Sequence, residues 1–175
     1  MTAAQAYDLI MNGGTSDFAD AVAILEKHRP WCLIGGLAVN CYVEPVYTLD
    51  ADIVVIAERL PEAEREFSER GFRIQRFAHS LNAQRGKGKL NLQFATDERY
   101  QKFLDNAAPA EVLGLCVPVA SLNDLVRGKT WAWQDEQRRL SKRKKDELDL
   151  IRIAEAHPKF RSILPPEIVR QLPSE

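Results

Sequence analysis

Two aspartates one residue apart, Asp50 and Asp52, lie a short distance after the glycine pair Gly35-Gly36. In an extended strand alternate side chains share one face, so both carboxylates are expected on the same side. Converging carboxylates repel each other, and a hard divalent cation such as Mg²⁺ relieves the repulsion. The glycines leave backbone N–H groups open to a phosphate. The spacing therefore predicts a metal and phosphate site in one cleft, although either acid could instead cap a strand or pair with an arginine.

Local sequence patterns predict a mixed sheet with helices packed on it, the elements that would position these residues. Apolar runs bounded by Gly, Pro and polar turns indicate strands at residues 31–35, 49–57, 72–78, 79–84 and 89–95. Helical periodicity indicates helices at residues 3–12, 17–28, 37–43 and 61–71, the second one capped by Ser16 and ended by Pro30.

The part of the chain beyond about residue 97 is predicted to be mainly helical. Residues 96–107 form one helical pattern, an extended piece surrounds residues 112–119, and a long helical pattern capped by Ser121 runs to Pro158. The expected fold class is α+β, with a small mixed sheet flanked by helices and a C-terminal helical region. We expect one domain over residues 1–175, with a core at about 17–97 and the helical region at about 98–160.

Composition excludes several classes of protein. The 175 residues are 45% hydrophobic and carry a net charge of -1, so no global charge attracts nucleic acid or membrane. The amino terminus lacks a secretory pattern and no apolar stretch is long enough to span a bilayer, so a cytoplasmic location is expected. The three cysteines are widely spaced among apolar residues, and we expect Cys32 and Cys41 to be buried and reduced.

The order of an apolar strand, Gly35-Gly36, a short helix and the stretch TLDADIVV at residues 48–55 resembles a known family. It is similar to the nucleotidyltransferase fold shared with polymerase beta, particularly to AbiEii-type toxins of type IV toxin–antitoxin systems. The resemblance covers scattered blocks between residues 31 and 155. It implies an enzyme that binds a nucleoside triphosphate with Mg²⁺ or Mn²⁺ and moves a nucleotidyl group onto a hydroxyl acceptor, which would be RNA or a protein. By this resemblance Gly35, Gly36 and Thr48 would contact the nucleotide, and Asp50 and Asp52 would bind metal.

One position departs from the family pattern. The family usually carries a third carboxylate on a later strand, but in the predicted strand at residues 89–95 the face away from the core presents Asn91 and Gln93. Neutral amides are weaker Mg²⁺ ligands than carboxylates and cannot act as a base. Asp97 or Glu98, just past this strand, could substitute. Otherwise the fold would bind nucleotide without turning it over.

A basic run from Arg138 to Lys145 has six Lys or Arg among eight residues. One interpretation is a solvated helix with ion pairs to nearby acids. The other is that one face closes over the cleft, with Lys129, Arg139 or Lys142 contacting triphosphate, while the outer face meets an acidic acceptor such as RNA.

Two hypotheses of different classes follow. The first is a Mg²⁺-dependent nucleotidyltransferase, a toxin–antitoxin component in the more specific form of the hypothesis. The second is a catalytically inactive module that binds nucleotide or a protein partner, such as the other half of a toxin–antitoxin pair.

Overall fold

A seven-stranded mixed sheet forms the centre of the protein, in a computed structural model that describes residues 14–173. The strands are β1 (Trp31–Ile34), β2 (Asp50–Val55), β3 (Phe72–Arg76), β4 (Ser80–Arg85), β5 (Asn91–Ala95), β6 (Ala108–Val112) and β7 (Leu115–Val119). Their order across the sheet is β3-β4-β5-β2-β1-β7-β6. β1 and β2 are antiparallel, whereas β2 pairs with β5 and β1 pairs with β7 in parallel. The prediction that residues 31–35, 49–57 and 88–95 share one sheet is confirmed.

Helices cover the sheet and extend beyond it. The α-helices are α1 (Gly14–Leu25), α2 (Gly35–Val39), α3 (Leu60–Glu69), α4 (Leu122–Gln134), α5 (Leu140–Ala156) and α6 (Pro166–Val169). Three 3₁₀ segments lie at Glu26–His28, Glu98–Asn106 and Pro158–Ile163. The architecture is the predicted α+β class, a mixed sheet flanked by helices.

The apolar face of the central strands forms the core. Ala51 and Ile53 of β2 and Leu92 and Phe94 of β5 are at most 1% exposed. Phe67 of α3 packs edge-on against Phe94, with ring centroids 5.3 Å apart. Because side chains alternate along a strand, burial of these residues turns the intervening polar residues of β2 and β5 to the opposite face.

The structure corrects several predicted element boundaries. Ser16 lies inside α1 and does not cap it, and the helix after the glycine pair ends at Val39 rather than at residue 43. Residues 98–106 form a 3₁₀ segment instead of an α-helix. The long helix predicted from residue 121 is two helices, because Asp135 starts a local turn in which its Oδ1 accepts a hydrogen bond from the Gln137 N–H at 3.0 Å. The predicted helix at residues 3–12 lies outside the described residues.

The extended piece predicted around residues 112–119 belongs to a hairpin that the sequence prediction lacked, and this hairpin extends the sheet beyond residue 97. β6 and β7 are antiparallel and are joined by a two-residue turn in which Leu113 and Gly114 both have positive φ, 51° and 83°. Two such residues match the twist of a tight hairpin. β7 then pairs with β1, so residues that follow the predicted core complete the sheet beside the glycine turn.

The cysteines are free, but only one of the three is buried. Cys32 lies in β1, where burial, reinforced by Asp124, raises the pKa of its thiol to about 12. Cys41 is exposed, so the prediction of its burial is wrong; it lies past the end of α2, in a turn that faces solvent. Within residues 14–173 no helix has both the length and the apolar character that crossing a bilayer requires.

Candidate active site

The two aspartates of β2 and two amides of β5 share the polar face of the sheet. Asp50 lies opposite Asn91 and Asp52 lies opposite Gln93 in the parallel pairing of these strands. The Asn91 side chain donates a hydrogen bond from Nδ2 to Asp50 Oδ1 at 3.1 Å. The structure therefore brings together the side chains that sequence patterning assigned to one face, including both amide candidates for the third position.

The glycine pair packs directly against Asp52. Gly35 follows β1 with a φ of +69°, and a Cβ added there would lie 2.0 Å from Asp52 Oδ2. Gly36 has more room, since its added Cβ would lie 3.8 Å from Thr48 Oγ1. Thr48 in turn accepts a hydrogen bond from the Asp50 N–H at 3.3 Å. Gly35 is therefore required both for its backbone conformation and for the approach of the Asp52 carboxylate.

A lysine from the basic run reaches the same place. Lys142 of α5 donates to Asp50 Oδ2 with an Nζ–Oδ2 distance of 2.8 Å. Burial raises the pKa of Asp50, but the hydrogen bonds from Lys142 and Asn91 outweigh it and hold the pKa below its ordinary value. Asp50 is therefore an ionised carboxylate that already has one cationic partner.

Asp52 has the opposite electrostatic environment. Burial raises the pKa of Asp52 to about 6, and the Asp50 carboxylate adds to the rise while Lys129 opposes it. The cations near Asp52 offset its burial only in part, and a bound metal would add further positive charge.

Lys129 is close enough to Asp52 to affect its pKa and belongs to a buried ion network. Its Nζ is 2.9 Å from Asp146 Oδ1 and 2.7 Å from Asp149 Oδ2, and Arg138 Nε is 2.8 Å from Asp146 Oδ2. Burial lowers the pKa of Lys129, but Asp149 and Asp146 outweigh that effect and raise it. One interpretation of the basic run, a solvated helix with ion pairs to nearby acids, does not hold for Asp146 and Asp149, because both are buried. Their i, i+3 spacing on one helical face was the available signal.

Three further candidates are bonded elsewhere or exposed to solvent. Arg139 precedes α5 and is exposed, and its guanidinium donates to Ser141 Oγ at 3.5 Å. Asp97 is held by the Arg99 guanidinium, at 2.7 Å from Nη2 to Oδ2, which keeps the pKa of Asp97 below its ordinary value. Among residues 14–173 no three His, Cys, Asp or Glu side chains are grouped closely enough to hold a metal ion. Asp97 is thus paired with Arg99 and Glu98 is exposed, and the structure groups neither acid with Asp50 and Asp52.

The side chains at this site fit a divalent cation, although they carry less negative charge than three carboxylates would. Two carboxylates and two amide side chains on one face offer the oxygen ligands that Mg²⁺ or Mn²⁺ prefers. The charge of the Asp52 carboxylate is offset only in part by nearby cations, which suits a bound metal ion, whereas one oxygen of Asp50 already accepts a hydrogen bond from Lys142.

No model of a known protein family and no curated protein sequence matches this chain. Solved structures do match it. The solution structure of the antibiotic-resistance factor ANT(2'')-Ia has a TM-score of 0.59 at 17% identity, over 87% of this chain and 94% of that one. A crystal structure of the same factor with adenylyl-2''-tobramycin has a TM-score of 0.51 at 17% identity, over 85% and 97% of the chains.

A second antibiotic-modifying protein shows the same likeness. The lincosamide antibiotic adenylyltransferase LnuA, in its lincomycin-bound crystal structure, has a TM-score of 0.52 at 12% identity, over 76% of this chain and 92% of that one. Identities this low establish the architecture and not the substrate. The chain has the nucleotidyltransferase fold.

Proposed function

We propose that this protein is a Mg²⁺- or Mn²⁺-dependent nucleotidyltransferase that moves a nucleoside monophosphate group from a nucleoside triphosphate onto a hydroxyl acceptor. The observation that carries the proposal is the contact between the glycine turn and the aspartate pair. Gly35 approaches Asp52 so closely that no side chain fits between them, and Asp50 lies on the same face. A triphosphate at the turn and a metal at the carboxylates would meet there.

In the proposed reaction the acceptor oxygen bonds to the α-phosphorus, the bond to the β-phosphate oxygen breaks, and pyrophosphate leaves. A bound divalent ion would neutralise charge on the phosphates. Asp50 and Asp52 would hold it, and Thr48 keeps the start of β2 in place through its bond to the Asp50 N–H. Gln93 can orient the acceptor hydroxyl but cannot take its proton, so in this proposal the hydroxyl proton passes to the Asp52 carboxylate as the oxygen bonds to the α-phosphorus.

Label transfer from each α-labelled nucleoside triphosphate, with Mg²⁺ or Mn²⁺, tests the proposal. Total RNA, a protein extract and a small-metabolite extract serve as separate acceptors. We expect transfer to one of them, at least 100-fold weaker in Asp50→Asn and unchanged in Asp105→Asn, which alters an exposed acid elsewhere. Equal transfer by both variants would overturn the assignment of the aspartates.

A catalytically inactive nucleotide- or protein-binding module is the second candidate. Gln93 lies opposite Asp52, and within residues 14–173 no third acid is grouped with Asp50 and Asp52. Lys142 is already bonded to Asp50. Triphosphate binding that is measurable by calorimetry, combined with no transfer to any of the three acceptor pools, would favour this alternative.

The toxin–antitoxin role is part of the first proposal and rests on the resemblance of residues 31–155 to AbiEii-type toxins. Induced expression in a bacterial host should arrest growth, and Asp50→Asn should abolish the arrest. Normal growth on expression of the active, full-length protein would remove this role while leaving the transferase proposal in place.

A further inference from the structure

A cavity of about 800 Å³ opens beside Asp52 on the polar face of the sheet. Gly35 and Asp52 line it, together with residues of β4, β5, the 3₁₀ segment Glu98–Asn106 and α4. Asp50 and Lys142 do not line it. The volume lies within the range of about 300–1,000 Å³ that small-molecule sites occupy. The cavity therefore extends from Asp52 to the side away from the Asp50–Lys142 pair.

The floor of the cavity is polar but carries no charge. Ser80 and Asn82 of β4 and Gln93 of β5 line it, and Asn82 lies directly opposite Gln93 in the antiparallel pairing. Asn82 Oδ1 is buried and has no hydrogen-bond partner within the part of the chain that the structure describes. Hydroxyl and amide groups both donate and accept, so this floor suits a ligand that does the same.

Apart from Asp52, the buried charged groups around the cavity are paired within the protein. Asp146 is bonded to Lys129 and Arg138, and Asp97 is bonded to Arg99. The remaining titratable groups of the lining besides Asp52 and Tyr100 are His79 and Asp135, and both are exposed. Neither a polycation nor a polyanion would find a set of uncompensated countercharges here.

One wall is aromatic and held in a defined arrangement. The Trp131 and Phe103 rings stack with their centroids 5.8 Å apart, and the Arg99 guanidinium lies 4.6 Å from the Trp131 centroid. Tyr100 meets Trp131 edge-on at 5.5 Å. These rings line the same cavity as Ser80, Asn82 and Gln93 and give it an apolar surface.

We propose that the cavity is the acceptor subsite and that it takes a small, uncharged compound with several hydroxyl groups and one apolar face, as in aryl glycosides and nucleosides. The assignment of the cavity to the acceptor rests on the proposed function. The apolar face of the ligand packs against Trp131 and Tyr100, its hydroxyl groups bond to Ser80, Asn82 and Gln93, and one hydroxyl points to Asp52.

Saturation-transfer NMR of the full-length protein with EDTA and without nucleotide tests the ligand class. Three sets of hydroxylated fragments of similar size are compared: neutral aryl glycosides and nucleosides, cationic amino sugars, and anionic sugar phosphates. We expect binding mainly from the neutral set, with affinity at least fivefold weaker in Trp131→Leu and in Asn82→Leu. Trp133→Leu is the matched control because Trp133 bonds to Glu147 and does not line the cavity.

Circular dichroism checks that each variant folds, and Ser80→Ala replaces any variant that does not. A predominance of cationic or anionic binders would overturn the proposal, as would neutral binders that all cavity variants retain. Neutral binders found in this way are then offered as acceptors with labelled triphosphate. Binding without transfer would count against the transferase proposal and leave the ligand class standing, whereas transfer only to RNA or tobramycin would overturn the ligand class alone.

Discussion

At the scale of single residues, Gly35 and Gly36 have different requirements although they are adjacent. A methyl group at Gly35 would overlap Asp52 Oδ2 and would sit on a residue with positive φ, whereas one at Gly36 would meet its first neighbour at 3.8 Å. We expect Gly35→Ala to lower the free energy of unfolding by about 2–3 kcal/mol and Gly36→Ala to change it by less than about 1 kcal/mol. Urea denaturation measures both. Equal losses in the two variants would contradict the close packing of Gly35 against Asp52.

The raised pKa of Asp52 predicts a pH-dependent cost in stability. Its pKa is about 6 in the folded protein against an ordinary value of 3.8, so the folded state holds the proton more tightly. Stability from this group is therefore present at low pH and is lost as the pH rises from about 4 through about 6. Asp52→Asn removes the loss.

The measurable quantity is the difference in unfolding free energy between Asp52→Asn and the wild type, in EDTA, from pH 4 to pH 8. The variant should gain stability relative to the wild type up to about pH 7, after which the difference should level off. The difference between the folded and ordinary pKa values of Asp52 limits this gain to roughly 3 kcal/mol. Asp105→Asn, at an exposed site, should show no such trend. A difference that does not vary with pH would mean that ionisation of Asp52 does not destabilise the folded protein.

At the scale of elements, the pairing of α4 with α5 depends on Lys129. This side chain lies between Asp146 and Asp149, which retain Arg138 and Arg152 as other partners. We expect Lys129→Met to lower the free energy of unfolding by about 3 kcal/mol, because two buried acids lose a shared cation. Lys144→Met should cost less than about 1 kcal/mol, since Lys144 is exposed and its pair with Glu147 is open to solvent. Similar effects in the two variants, measured in urea, would argue against a structural role for the network.

At the scale of the whole molecule, metal and nucleotide should bind together. The site has two carboxylates, and Lys142 already neutralises one of them. We expect little Mg²⁺ binding to the free protein, at least a tenfold increase with a non-hydrolysable triphosphate that adds its own oxygens, and loss of that increase in Asp52→Asn. Calorimetry measures each case. Tight Mg²⁺ binding without nucleotide would show that another group completes the site.

A matched substitution tests the reduced charge of this site directly. Gln93→Asp, opposite Asp52, restores a third carboxylate and should strengthen Mg²⁺ binding in the absence of nucleotide. Asn82→Asp adds the same charge on the neighbouring strand, opposite Gln93 and farther from β2, and should have a smaller effect. Equal strengthening by the two would mean that general charge, and not the third ligand position, controls the affinity.

Local patterns in the sequence determined the central strands and the face on which the site lies. The alternation in β2 and β5 specified that Asp50, Asp52, Asn91 and Gln93 turn away from the core, because a strand with one buried face can adopt only one orientation. The glycine pair after β1 likewise marked the tight turn.

Only the tertiary structure decided which distant residues meet this face. Lys142 is 92 positions from Asp50, and nothing in the spacing of the basic run distinguished it from the exposed Arg139. The buried Lys129 network, the β7 strand beside β1 and the cavity between β4 and α4 also join segments far apart in the chain. Periodicity reports the burial of one element at a time, whereas these features arise from the packing of several elements against each other.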